Sequence, residues 1–169
     1  MKTLWMYVGM VAIGFFLMVS VAGAAGIGQS APGFSLQMLR GAGEVSLQND
    51  LKGSPSLLVF WTTWCPSCRR EMPTVNKLAK KYQSKGVSFL GINAGWKDTK
   101  SRAVSYLEDN GIDDFPMVFD SGSTVTRKFA LRGVPTFIVL DAEGVIRHQG
   151  FSMSQELLTT LDSLAEGEG

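Results

Sequence analysis

Both cysteines of this chain lie in one octapeptide, Trp61-Thr62-Thr63-Trp64-Cys65-Pro66-Ser67-Cys68, two residues apart. Thiols at this spacing can close a disulfide within one helical turn, and so exchange two electrons with another protein's cysteines without a bound cofactor. An apolar run, Leu57 to Trp61, precedes the octapeptide and a stretch of helical period follows it. Cys65 therefore falls at a helix N-terminus, where unpaired N–H groups and the macrodipole favour an anion. An ordinary thiol, with pKa near 8.5, is only about 3% thiolate at pH 7. A shift toward ~7 raises that fraction more than tenfold, and the accompanying fall in nucleophilicity returns several-fold of it. Cys68, one turn deeper, is expected to be less exposed and less acidic. Cys65 is thus the expected attacking sulfur and Cys68 the resolving one.

Other chemistry for the pair is poorly supplied. A structural zinc site takes four ligands, and beyond the two cysteines the chain has a single histidine, His148, far away in sequence. A c-type haem attachment site requires histidine directly after the second cysteine, where Arg69 stands. A disulfide serving only stability would gain just about 2 kcal/mol from so short a loop. No metal is expected, and no cofactor other than the Cys65–Cys68 disulfide itself. A net charge of +1 argues against nucleic acid as a partner.

The elements that must position the thiols follow from periodicity and punctuation. Phe34–Leu39 and Glu44–Leu47 alternate and read as a hairpin across Gly41-Ala42-Gly43, after a short polar hinge, Gly28 to Ala31. Leu57–Trp61 reads as a buried strand. From Cys65 to about Tyr82, Met72, Val75, Leu78, Ala79 and Tyr82 share one helical face, with Pro73 expected to kink the helix. Val87–Asn93 reads as a second buried strand, then Lys100–Asn110 as a helix stopped by Gly111. Met117–Phe119 reads as a short strand and Thr124–Ala130 as helical. Thr136–Leu140 and Val145–Gln149 form a last strand pair around Asp141-Ala142-Glu143-Gly144. Ser154 caps a final helix carrying Leu157, Leu158, Leu161 and Leu164. This order predicts an α/β fold with helices on both faces of the sheet, and places the cysteines at the carboxyl end of a central strand.

The amino terminus has its own character. Lys2 is followed by an almost unbroken apolar stretch, Leu4 to Val21, then Ala22-Gly23-Ala24-Ala25, and no charged residue occurs from Thr3 to Leu39. Residues 1–25 read as a signal peptide cleaved after about Ala24 or Ala25, or as an N-terminal membrane anchor of spanning length, and residues 26–169 as the folded domain. Either reading places the domain outside the cytoplasm, in the periplasm or on the outer face of the membrane. Disulfides persist there. Membrane contact is expected only through that segment.

The octapeptide with Arg69-Arg70-Glu71-Met72-Pro73, the entry Ala31-Pro32-Gly33-Phe34-Ser35-Leu36, Gly91-Ile92-Asn93, Phe115-Pro116-Met117-Val118-Phe119-Asp120 and Gly133-Val134-Pro135-Thr136-Phe137 all bear on family. Together they resemble the thioredoxin superfamily, and more narrowly the TlpA/ResA-like thiol–disulfide oxidoreductases of the cytochrome c maturation type. The resemblance implies a thioredoxin-like fold: a central mixed sheet, an N-terminal β-hairpin extension, and a central insertion around Asn93 to Asn110. It makes Cys65 the family nucleophile, Cys68 its partner, and Pro135 the cis-proline facing them. It assigns Glu71, at i+3 from Cys68, to acid/base tuning, and Trp64, Pro66, Val134 and Pro135 to the substrate-binding surface. One departure stands out. Thioredoxins carry a buried aspartate six residues before the first cysteine, and Val59 is there instead.

The function so implied is reduction of disulfides in exported proteins with cysteine pairs, apocytochromes c among them. A membrane dithiol would be the electron donor and the protein itself a monomer. Two other readings are open. Thr62-x-x-Cys65 and the entry motif also resemble peroxiredoxins, thiol peroxidases, although those have proline seven residues before the reactive cysteine and this chain has Leu58. A non-catalytic module that binds cysteine-containing apoproteins is the other.

Overall fold

In the computed structural model, which describes residues 25–167, β3 (Ser56–Trp61) is buried along its whole length and divides the core in two. Its alternate side chains explain why. Leu57, Val59 and Trp61 belong to one apolar cluster and Leu58 and Phe60 to another, because successive residues of a strand point to opposite faces. The first hairpin strands are β1 (Ser35–Gln37) and β2 (Glu44–Ser46), paired antiparallel. After β3 come α1 (Pro66–Gln83), β4 (Ser88–Asn93), α2 (Lys100–Asp109), β5 (Met117–Phe119), α3 (Thr124–Lys128), β6 (Thr136–Leu140), β7 (Ile146–Gly150) and α4 (Gln155–Ala165). The five-stranded sheet has the order β5-β4-β3-β6-β7, with β3–β4 and β4–β5 parallel and β3–β6 and β6–β7 antiparallel. This is the thioredoxin-like arrangement, with the hairpin as an extension and α2 as the insertion between β4 and β5.

One face of the sheet is covered by α1, α2 and α4, through Met72, Val75 and Ala79, Tyr106 and Leu107, and Leu157 and Leu161. The hairpin, the turn after it and α3 cover the other, through Leu36, Leu47, Leu51, Val125 and Phe129. That turn, Leu47–Leu51, is a single π-helical turn; Ser46 Oγ accepts from the Asn49 N–H and Asp50 Oδ2 from the Ser46 N–H. Its reciprocal cap resembles a capping box in miniature, at a spacing the strand reading of Glu44–Leu47 did not include.

Gly28–Ala31 is no free hinge. Gly28 N donates to Ile146 O, Ile146 N to Gln29 O, and Ala31 N to Gly144 O, at 2.8–2.9 Å, so the segment pairs with the start of β7 and the turn before it. At the opposite edge Leu39 N donates to Met117 O at 2.7 Å, bringing the hairpin extension against β5. Both outer strands are thus partly covered, β7 at its first residue and β5 at Met117, which shortens the edge open to other chains.

Helix α1 runs through Pro73 without interruption. Proline lacks the N–H that would bond the carbonyl four residues earlier, that of Arg69. The Tyr106 hydroxyl of α2 lies 3.4 Å from that oxygen and donates to it. The Arg69 guanidinium in turn stands 5.9 Å from the centroid of the Tyr106 ring. Burial pushes the Tyr106 hydroxyl above its ordinary pKa against the opposing pull of Arg69, so it remains a donor at neutral pH. At the other end of α1, Tyr82 donates to Asp162 of α4 at 2.9 Å, and burial with that bond pushes its pKa up to about 12.

No helix among the described residues is long and apolar enough to cross a membrane. The N-terminal segment, residues 1–24, lies outside the described residues.

Candidate active site

The two cysteines sit where β3 ends and α1 begins. Pro66 occupies the first position of the helix, where a missing N–H costs nothing, and Cys65 is its N-cap, with extended backbone at φ −80° and ψ 114°. The helix therefore starts one residue later than the periodicity suggested. Cys65 and Cys68 form a disulfide, with Cα atoms 5.3 Å apart. The Cys68 N–H points at Cys65 Sγ at 3.2 Å, the place a capping oxygen would hold. That donor and the helix end favour negative charge on Cys65 once the disulfide is opened.

The two sulfurs differ in surroundings. Cys65 is 4% exposed and Cys68 1%, and both belong to the cluster that holds Val59, Trp61, Met72 and Phe137. Val59, itself 1% exposed, pairs with Gly91 on β4 and Phe137 on β6, so the place six residues before Cys65 is apolar and sealed. Such surroundings disfavour a thiolate on Cys68.

The Val134–Pro135 peptide is cis, Pro135 is buried, and Val134 is half-buried. The Val134 carbonyl oxygen lies 3.4 Å from Cys65 Sγ, so the loop before β6 faces the disulfide. Pro66 is exposed beside Cys65. Glu71 is half-buried, and its Oε2 accepts from the Met153 N–H at 3.1 Å, turned toward the loop that precedes α4. No described residue donates a hydrogen bond to its other oxygen. Trp64 is 49% exposed, yet its indole N–H donates to the Trp96 carbonyl at 2.6 Å, which anchors the ring on the insertion.

The sequence reading missed the group that binds the octapeptide to the insertion. Asp98 accepts from the Thr63 N–H at 2.7 Å, the Thr63 hydroxyl at 2.8 Å, Asn93 Nδ2 at 2.9 Å and the Thr99 N–H at 3.0 Å. Burial alone would push this carboxyl up, but the bonds from Asn93, Thr63 and Thr99 outweigh it and hold Asp98 below the ordinary value of 3.8. Asn93 Oδ1 also accepts from the Gly95 N–H at 3.0 Å. Gly95 stands at φ +68°, where a side chain would run into the Asp120 carbonyl, so only glycine lets the chain turn there. An Asp-Thr pair before a helix is a cap signature, and Thr99 does cap α2 by accepting from the Arg102 N–H. The same signature says nothing of Thr63, thirty-five residues away.

Asp98 gives a direct prediction. Asp98→Ala should lower stability by about 1–3 kcal/mol, since it leaves partly buried donors without an acceptor. Because the folded-state pKa is depressed, the contribution is present above 3.8 and is lost as pH falls through the folded value. Urea denaturation from pH 7 down to pH 3 should show a shallower acid limb in Asp98→Asn than in the native chain.

Comparison with known proteins bears on this geometry. A family model described as the AhpC/TSA family matches residues 27–149. The chain is similar to the thiol:disulfide interchange protein DsbE of Vibrio cholerae, 35% identical over 142 residues that cover 83% of this chain and 74% of that one. It is also similar to the thiol-disulfide oxidoreductase ResA of Bacillus thuringiensis, 33% identical over 123 residues, covering 73% and 68% of the two chains. Among solved structures, a Chlorobium tepidum protein described as a candidate DsbE superimposes with a TM-score of 0.71 at 27% identity, covering 83% of this chain and 98% of its own.

Proposed function

Because the chain belongs to the AhpC/TSA family and, within the thioredoxin superfamily, to the TlpA/ResA/DsbE-type thiol–disulfide oxidoreductases, we propose that it reduces disulfides in proteins outside the cytoplasm. The observation that carries the reading is the Cys65–Cys68 disulfide at the head of α1, with the Val134–Pro135 loop against it. In the reduced protein the Cys65 thiolate attacks one sulfur of a substrate disulfide. That bond breaks, the second substrate sulfur leaves and takes a proton, and a Cys65–substrate disulfide remains. Cys68 then gives up its proton and attacks Cys65 Sγ, which expels the first substrate sulfur. Two electrons have passed to the substrate and Cys65–Cys68 is oxidised. A dithiol donor in the membrane restores the pair.

Within this reading Val134, Pro135, Trp64 and Pro66 form the surface on which the substrate backbone lies. Apocytochromes c are the substrates that the TlpA/ResA resemblance suggests. Glu71 is the carboxylate one turn from Cys68, and its free oxygen suits it to receive the Cys68 proton. Glu71→Gln should then slow release of the mixed disulfide below about pH 8.5, where an ordinary thiol holds its proton, while sparing its formation, a split that stopped-flow can read.

The test of direction is the reduction potential of the couple. A value well below about −200 mV supports a reductase, and one near about −120 mV would mark an oxidant and overturn the proposal.

The AhpC/TSA match favours a second reading, a thiol peroxidase, and Thr62 stands three residues before Cys65 as in peroxiredoxins. Against it, the place those proteins fill with proline is Leu58, wholly buried at the centre of β3 and paired with both Leu90 and Ile138. Proline is foreign to such a central strand. The reduced protein should consume hydrogen peroxide at a negligible rate; rapid turnover would favour the peroxidase.

A further inference from the structure

The insertion builds more than a support for the octapeptide. Trp64, the residue before Cys65, lines an open cleft of about 680 Å³ with Trp96, Lys97 and Arg102. That volume lies within the range of about 300–1,000 Å³ common to ligand sites. Its walls are set before anything binds. The Trp64 indole is fixed to the Trp96 carbonyl, Arg102 Nη1 donates to the Lys97 carbonyl at 3.4 Å, and Lys97 itself takes a left-handed backbone, φ +48°. A large aromatic held half-exposed by its own polar atom is the kind of group that anchors recognition, since little side-chain freedom remains to be lost on binding.

The rim carries one sign of charge. Lys97, Lys100 and Arg102 on the insertion and Arg69 and Arg70 on the first turns of α1 are all exposed. The four ion pairs among the described residues engage Lys80, Lys85, Arg147 and His148, and none of these five. Of the carboxylates on the same elements, Asp98 is committed to Thr63, Asn93 and Thr99, Glu71 turns to the Met153 N–H, and Asp109 lines the adjoining hollow with Arg69 and Arg102 without pairing to either. For a chain of net charge +1, five cations without an ion pair on the insertion and the first turns of α1 is a marked local excess.

We propose that this cleft is a substrate subsite for an acidic polypeptide segment: an aromatic or large aliphatic side chain enters between Trp64 and Trp96, and a neighbouring carboxylate meets Lys97 and Arg102. The proposal rests on the disulfide-reductase reading and names the class of segment that flanks the target cysteines. The stacking site supplies affinity, and the cations supply orientation and faster encounter.

The test separates docking from chemistry. Two fluorescein-labelled peptides with serine in place of cysteine, identical except for a Glu-Trp or a Lys-Ser pair, are titrated into the full-length oxidised protein and followed by anisotropy. The acidic aromatic peptide should bind about tenfold more tightly at low salt, and the preference should shrink with added salt, as expected for exposed charge pairs. Lys97→Glu with Arg102→Glu should reverse it, and Trp96→Ala should remove the gain from tryptophan. Equal binding of the two peptides, indifference to the charge reversal, or selective binding to phosphatidylglycerol vesicles in place of peptide would each overturn the proposal. Reduction of hydroxyethyl disulfide, a small neutral substrate, should be the same in all these variants. Its absence in the native protein would count against the reductase reading and leave the peptide result to stand alone.

Discussion

Cys68→Ala should convert the protein from a catalyst into a trap. Cys65 keeps its place at the head of α1 and the Cys68 backbone N–H that points at its sulfur, so the first attack on a substrate disulfide survives. The second attack has no nucleophile. Multiple-turnover reduction should fall by on the order of 10³-fold or more, the scale seen when a group acting in concert with the nucleophile is removed. A one-to-one Cys65–substrate adduct should then accumulate, visible by mass spectrometry without reductant and released by dithiothreitol. Cys65→Ser should form no adduct at all. If Cys68→Ala turns over normally, or Cys65→Ser retains full biological activity, the exchange mechanism is wrong and a binding role is the better account. The variant should still fold, because closing so short a loop contributes only about 2 kcal/mol.

The second large effect concerns the sealed site behind the thiols. Val59→Asp would restore the side chain that thioredoxins carry there, but into surroundings built for a valine. With Phe137 opposite on β6 and Gly91 on β4, among described residues the strand pairing offers that carboxylate no polar side chain directly across the sheet. Burial would raise its pKa above the unfolded value of about 3.9. The penalty is therefore small below that value and grows as pH rises toward the folded pKa, by about 1.4 kcal/mol per unit. At pH 8 the variant should be about 3–5 kcal/mol less stable than the native chain, the usual cost of an uncompensated buried charge. Urea midpoints at pH 4.5 and pH 8 decide it. A loss of stability that does not depend on pH would show that the carboxyl finds water or a partner.

Much of the framework could be read from residue order because its causes are local. Thr136–Leu140 is a strand end to end, a run rich in β-branched and aromatic residues between a proline and a turn, and Ser154 caps α4 by accepting from the Leu157 N–H. The cysteine pair announces its own position, since Pro66 starts the helix that they head. The parts that were not legible depend on pairs distant in sequence. Nothing local to Tyr106 predicts that its hydroxyl would serve the carbonyl orphaned by Pro73, and nothing local to Asp98 predicts Thr63. Gly28–Ala31 has the composition of a linker, yet its backbone pairs with the start of β7. Trp96 carries no periodic signal at all, and only the tertiary fold brings its carbonyl to Trp64.

The contacts of the insertion also bear on whether the cysteine motif could be moved to another protein. Excising the segment from Gly95 to Ile112 would in one cut remove the acceptor of Thr63, the carbonyl that holds Trp64 and the hydroxyl that completes α1 at Arg69. The helix, the proline and the two tryptophans are therefore mechanically one unit. Transplanting the cysteine motif alone into another scaffold would carry over the sulfurs and leave behind what holds them.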